Sequence, residues 1–262
     1  MSDTLHFTQD EQGIVTLTMD YQPTRNALTG NDMVESFLAA FQRIETEHTA
    51  RVVIITGAGK VFSSGGSIDE MERQRKPEHP TMSLRHEYRE GIQRLPLALH
   101  KLEVPTIAAV NGPAIGAGFD LSCMCDIRIA SEHAKFAESF VKLGLIPGDG
   151  GAWFLPRLIG MSRAAEMTLT GDVIDAQQAC SWGLVSKVVP AEELMNESRK
   201  IALRIAANAP EAVRMSKRLM REGQHSRLDT VLELSAAFQA MAHKSEEHAQ
   251  AVQAFLEKRS KN

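Results

Sequence analysis

The apolar positions of the chain fall into short runs and helical stripes that alternate from near the N-terminus onward. Ile14 to Met19 alternates apolar and polar residues and is followed by Asp20 and Pro23, which predicts a strand and a turn. Met33, Phe37, Leu38, Phe41 and Ile44 form the stripe of an amphipathic helix. Val52 to Ile55 is a continuous apolar run, the mark of a strand covered on both faces, and it ends in Thr56-Gly57-Ala58-Gly59. The signals return at Ile107 to Val110, bounded by Pro105 and by Asn111-Gly112-Pro113, with helical spacing from Phe119 to Met124. Asp126 to Ala130 alternates as a further strand, Ala152 to Ile159 and Ala164 to Leu169 read as helices, and Trp182 to Pro190 holds a short strand. Beyond Glu192 the pattern is helical to the end, punctuated by Pro210 and Gly223. Strands alternating with helices predict an α/β layer structure over residues 1–191, with a C-terminal helical region over 192–262 that is expected to serve oligomerisation by packing against a neighbouring subunit.

Between these elements lie turns of very small residues. Gly116-Ala117-Gly118 joins a buried strand to the start of a helix, and Asp120 follows within one turn. Such a junction leaves backbone N–H groups free at a positive helix terminus, where an anion or an oxygen that becomes negative can be held. Close packing of a helix on a sheet would need the same small residues, with Asp120 only complementing the helix dipole. Ser63 to Ser67 is a second turn of this kind, with Gly66 at its bend and helical sequence from Ile68. Two such turns, each following a buried strand, could aim two donors at one oxygen. A third glycine-rich turn, Pro147 to Gly151, carries Asp149. Asp69 to Glu90 is densely charged with Pro77 and Pro80, and reads as a solvated helical excursion in preference to a mobile flap over a pocket.

Composition narrows the function. A net charge of −4 over 262 residues is not a surface built for nucleic acid. No apolar run reaches membrane-spanning length, and Met1 to His6 resembles neither a signal nor a transit peptide, so a cytoplasmic location is expected. The three cysteines, Cys123, Cys125 and Cys180, read as reduced thiols; the first two lie two apart on a helix and do not share a face, so no metal is expected there. His79 and His86 have no acidic or cysteine partners at ligand spacing.

In order and at their spacings, several motifs together resemble the crotonase superfamily, the enoyl-CoA hydratase/isomerase family. They are Arg25-Asn-Ala-Leu, Phe62-Ser-Ser-Gly-Gly-Ser-Ile-Asp-Glu-Met, and Pro105 through Leu121 with Cys125-Asp-Ile-Arg. The match continues through Phe136, Leu143-Gly-Leu-Ile-Pro-Gly, Trp182-Gly-Leu-Val and Ala254-Phe-Leu-Glu-Lys, nearly the whole chain from Ile14. The resemblance implies a spiral of ββα units, assembly as a homotrimer or a dimer of trimers, and an acyl-CoA thioester as substrate. Coenzyme A arrives as part of that substrate and no other cofactor is implied. It further implies that the N–H groups of Gly66 and Ala117 stabilise the thioester enolate. The family's CoA contacts match Arg25, Ala27, Ser64, Ser67 and Ile68, together with Phe255 and Lys258, a pair often lent by a neighbouring subunit.

The acids depart from the hydratase pattern. Asp120 stands where the first catalytic glutamate is expected, and Phe140 stands where the second is. Glu138 falls at a position where the family commonly has a polar residue that is not the catalytic acid. Asp149 lies where several members line the pocket, and Gly148 occupies the position of a catalytic Asp in dienoyl-CoA isomerases and dehalogenases. Hydration needs a base for water and an acid for the α-carbon, which Asp120 with Asp149 could supply and Asp120 with Phe140 could not. Three readings stay open. The first is a hydratase or double-bond isomerase using Asp120 and Asp149. The second is another crotonase-type reaction, hydrolysis or decarboxylation of a specialised acyl-CoA. The third is a non-enzymatic or RNA-binding homologue, which the negative charge disfavours. Met71, Met82, Phe140 and Trp153 are candidate pocket walls.

Overall fold

The computed structural model describes residues 4–259. Nine strands and twelve α-helices alternate along it. The strands are β1 (Leu5–Gln9), β2 (Ile14–Met19), β3 (Val52–Gly57), β4 (Thr106–Val110), β5 (Ala114–Ile115), β6 (Ile127–Ser131), β7 (Lys135–Ala137), β8 (Val173–Asp175) and β9 (Lys187–Val189). The helices are α1 (Met33–Glu47), α2 (Ile68–Gln74), α3 (Thr81–Glu90), α4 (Arg94–Lys101), α5 (Ala117–Met124), α6 (Gly151–Ile159) and α7 (Met161–Thr170). They continue with α8 (Ala176–Ser181), α9 (Leu194–Ala206), α10 (Pro210–Glu222), α11 (Leu228–His243) and α12 (Glu246–Arg259).

The strands form two sheets. The larger runs β1-β2-β3-β4-β6-β9 and is parallel apart from the β1–β2 hairpin. The smaller runs β5-β7-β8, and a parallel bridge between Ser63 and Ala114 adds the first small-residue turn to its edge. The passes that start with β3, β4 and β6 therefore each lay one strand in the large sheet, one short stretch in the small sheet, and then helices. This is the spiral of ββα units expected from the sequence. Val52 to Gly57 is buried throughout, because α9 covers one face of the large sheet and the main core lies on the other. The strands that periodicity did not reveal are the edge strand β1 and the short β5, β7 and β8; two or three residues cannot display an alternation.

The helices after residue 191 divide into two sets. α9 packs on the large sheet, with Leu194 and Ala202 in its core. α10 is fixed by a buried ionic clamp. Lys217 Nζ donates to Val104 O at 2.6 Å and lies 2.7 Å from Asp126 Oδ2, while Arg221 reaches Asp126 Oδ1 and the carbonyls of His100 and Leu102. Burial pushes the Asp126 carboxyl up, but Lys217 and Arg221 outweigh it and hold it below the usual carboxylate range. In contrast, α11 has no buried residue and exposes Leu228, Leu232 and Met241.

Asp126→Ala would strand two buried cations. It should cost about 3–5 kcal/mol in urea unfolding, whereas Leu228→Ser on α11 should leave the unfolding midpoint of the isolated chain within about 0.5 kcal/mol of the parent.

Candidate active site

The small sheet brings the two small-residue turns together. The N–H of Ile115 donates to Ser63 O at 3.1 Å. A side chain at Gly65 would collide with Ile115 O and lie 3.2 Å from Ala117 N, and one at Gly118 would lie 2.6 Å from Ser63. The turns can meet only because these positions carry no Cβ. Gly116 has φ 52°, the left-handed region that glycine enters without strain, and it precedes the first residue of α5.

Most backbone donors of the two turns are paired within the protein. In the first turn, Ser63 donates to Pro113 O, Ser64 to Arg25 O, Gly65 to Ser63 Oγ and Ser67 to Thr29 Oγ1. In the second, Ile115 and Gly116 donate to Ser63 O and Ala137 O. Among the described residues nothing accepts from the N–H of Gly66, Ala117 or Gly118. Of these, Gly66 and Ala117 line one cavity of about 440 Å³, whose wall also includes Leu28, Met71, Tyr88, Phe140, Leu145 and Asp149. Unpaired N–H groups at such a wall are donors waiting for a ligand.

Asn26, inside the Arg25-Asn-Ala-Leu motif but given no role there, supports this geometry. It is fully buried, accepts from Tyr21 N at 2.8 Å and donates to Val61 O at 3.0 Å. The Asn26 carbonyl accepts from Ser63 Oγ at 2.7 Å. The residues matching CoA contacts gather around it. Arg25 is exposed in the left-handed region, Ala27 is buried, Ser64 Oγ donates to Thr24 O, Ser67 caps α2, and Ile68 is exposed beyond it. Phe255 lies on α12 at 67% exposure and lines no described cavity. The Lys258 side chain lies outside the described residues.

The acids lie differently from what the family pattern suggested. Asp149 is on the cavity wall, but Asp120 is not; it is completely buried behind the turn that carries Asp149. Asp120 Oδ2 accepts from Gly151 N at 3.0 Å, so it sits on the N-terminus of α6. Glu138 is also completely buried and joins this group. A side chain at Gly151 would strike both Glu138 and Asp120, so these carboxyls press on one face of that glycine. Burial, followed by the Asp149 and Glu138 charges, pushes Asp120 well above the carboxylate range. Burial pushes Glu138 up to about 7, with the Asp149 charge adding to it and a hydrogen bond to Asp120 opposing it. Burial likewise raises Asp149, again opposed by a hydrogen bond to Asp120. The motif pattern gave Glu138 as a polar residue that is not the catalytic acid; no spacing rule marks its closeness to Asp120, because it reaches the site through the pairing of β7 with β5.

Phe140 lines the cavity, with its ring 3.6 Å from where a Cβ on Gly116 would stand. Gly148 faces a second cavity instead, about 590 Å³, shared with Trp153 and Phe154 and bordering Asp149 from the other side. Met71 is on the first wall, while Met82 is exposed and on neither. Among the described residues no group of three His, Cys, Asp or Glu could hold a metal ion, and no helix is long and apolar enough to cross a membrane.

Paired sheets, a spiral chain and two facing small-residue turns define the crotonase type of α/β fold. The model of the family described as enoyl-CoA hydratase/isomerase matches residues 9–262, and the chain belongs to that family. It is 37% identical over 252 residues to a short-chain-enoyl-CoA hydratase of Clostridium acetobutylicum, covering 96% of this chain and 94% of that protein. It is 35% identical to the 1,2-epoxyphenylacetyl-CoA isomerase of Escherichia coli, covering 95% and 94%. A solved enoyl-CoA hydratase from Bacillus anthracis superposes with a TM-score of 0.91 at 34% identity, covering 98% of this chain and 97% of that one.

The raised carboxyls have a consequence for stability. A carboxyl whose folded pKa is raised contributes most below its unfolded pKa and loses that contribution as the pH rises through its folded value. For Glu138 this window runs from about 4.5 to about 7. Urea unfolding across it should show stability falling as pH rises, and Glu138→Gln should flatten the fall by on the order of 1–3 kcal/mol. An identical slope in parent and variant would contradict the raised value.

Proposed function

We propose that this protein is an acyl-CoA enzyme of the hydratase/isomerase type that forms a thioester enolate, and that double-bond isomerisation is its best-supported reaction. The thioester oxygen accepts hydrogen bonds from Gly66 and Ala117. Their N–H groups hold the charge that develops when a proton leaves the α-carbon. The Asp149 carboxylate takes that proton from one carbon and returns it to another further along the acyl chain. The observation that carries this choice is that Asp149 is the one buried carboxyl on the wall of the cavity among the described residues. Isomerisation needs one group that takes and gives a proton. Hydration needs a second to activate water, and here the candidate positions hold Phe140 and an Asp120 enclosed behind the wall. The raised Asp149 pKa suits both directions of transfer near neutral pH. The hydratase relative and the relative named as an isomerase of an epoxide, 1,2-epoxyphenylacetyl-CoA, are about equally similar, and neither name is that of a double-bond isomerase, so they do not decide between the reactions.

In this reading the CoA portion lies over Arg25, Ala27, Ser64, Ser67 and Ile68, and Phe255 and Lys258 come from a neighbouring copy. The exposed apolar residues of α11 and α12, including Leu228, Val252 and Phe255, support a homotrimer or a dimer of trimers. Light scattering should find such an assembly at micromolar concentration; a stable monomer would contradict it.

The reaction is tested by supplying 3-enoyl-CoA and 2-enoyl-CoA thioesters and weighing the products. Isomerisation leaves the mass unchanged, and hydration adds one water. Isomerisation should dominate; efficient addition of water would overturn the choice. Asp149→Asn should lower kcat roughly 100- to 10,000-fold with little change in CoA-ester binding. Ala117→Pro keeps a residue suited to the first helical position but removes the donor, and should cost about 2.7–4 kcal/mol of transition-state stabilisation. An active, folded Ala117→Pro enzyme would remove the oxyanion assignment.

A further inference from the structure

Glu138 has a feature that packing alone does not explain. Both of its carboxyl oxygens are buried, and among the described residues neither has an N–H, hydroxyl or cationic partner. One oxygen each of Asp120 and Asp149 is in the same state. The charged and titratable groups facing the cluster are Asp120 and Cys123 from α5, Asp149 from the turn before α6, and Tyr88 from α3. None is a cation. A lone carboxylate enclosed in this way would be prohibitively costly. Two carboxyls can satisfy each other only when a proton lies between them, as in other buried acid pairs. Asp120 stands in the middle: its Oδ1 and Glu138 Oε1 press on the same face of Gly151, and its Oδ2 accepts from Gly151 N, two residues beyond Asp149. Of the three, only Asp149 meets the cavity.

We propose that Glu138 is a positioning residue for Asp149, acting through Asp120, so that the three carboxyls hold a common pool of protons of which only the outermost member touches substrate. This rests on the reading of Asp149 as the proton-transferring group. Asp120 fixes the Asp149 carboxyl by a shared proton, and Glu138 fixes the orientation and protonation of Asp120. The Asp149 charge makes ionisation of Glu138 harder, and the Glu138 charge in turn makes ionisation of Asp120 harder. The protonation of the cluster around Asp149 therefore depends on a residue that never contacts substrate, and the dry interior of the cluster keeps bulk water out of the transfer. The required raising of all three pKa values agrees with this arrangement.

Glu138→Gln keeps the shape, cannot ionise, and still offers a hydrogen bond to Asp120. The pH profile of kcat/KM should lose an inflection near 7, where Glu138 ionises in the parent, while the acidic limb set by Asp149 stays in place; KM should change less than twofold. A purely structural Glu138 would leave the whole profile unchanged, and an unchanged profile overturns the proposal. The carboxylic-acid C=O stretch in difference infrared spectra of the unliganded protein reads the same cluster without turnover. The titration midpoint of the remaining acids should fall in Glu138→Gln, and an unchanged midpoint also overturns it. If Glu138→Gln does not fold, the infrared titration of Asp149→Asn replaces it: removal of the outer charge should lower the midpoint of the Asp120–Glu138 pair. The two readings fail separately. Full activity in Asp149→Asn removes the catalytic reading, whereas a fixed infrared midpoint removes the shared proton pool.

Discussion

The closeness of two backbone segments governs this structure. The turn after β3 and the turn after β5 touch without intervening side chains, because Gly65 lies on the Ile115–Ala117 backbone and Gly118 on Ser63. A methyl group at either glycine would force the turns apart. Their contact does two things at once: it completes the edge of the small sheet and leaves the N–H groups of Gly66 and Ala117 unpaired at one cavity wall. The buried amide of Asn26 and the hydroxyl of Ser63 hold that contact from behind with hydrogen bonds to backbone. Donors held this rigidly would need no reorganisation as charge develops on an oxygen bound there, as the proposed function requires.

The spiral explains why the functional groups come from distant parts of the chain. Ser63, β5 and β7 are neighbours in the small sheet, and each ends at the site. The first leads to Gly66, the second to Ala117 and then Asp120, and the third to Glu138 and Phe140. The turn bearing Asp149 closes over them at the start of α6. A shift of one short strand would disturb the donors and the acids together.

The long elements were legible in the sequence because their patterns are long. The buried run Val52–Ile55, the α1 stripe and the α9 pattern appear where the spacing placed them. The small-residue turns were also legible, since glycine at a strand end has few other uses. The short strands of the small sheet were not, yet they decide which residues meet. Motif matching thus found Asp120 and Asp149 but could not order them as enclosed and exposed. It gave Glu138 only as a polar residue that is not the catalytic acid, because its place beside Asp120 depends on the β5–β7 register. Phe140 was visible as a departure from the two-glutamate pattern. Its place on the wall and the burial of Asp120 together leave Asp149 as the one buried carboxyl on the cavity wall among the described residues, beside the more exposed Glu70 and Glu87.

The central claim is that the two unpaired N–H groups hold one thioester oxygen, and the vibration of that carbonyl tests it most directly. An unreactive acyl-CoA carrying a 13C-labelled thioester carbonyl would be examined by difference infrared spectroscopy, free and bound to the protein. Two converging hydrogen bonds weaken the C=O bond, so the band should move to lower frequency on binding and return toward the free value in Ala117→Pro. A bound thioester whose carbonyl band stays at its position in water, in the parent protein, would contradict the account.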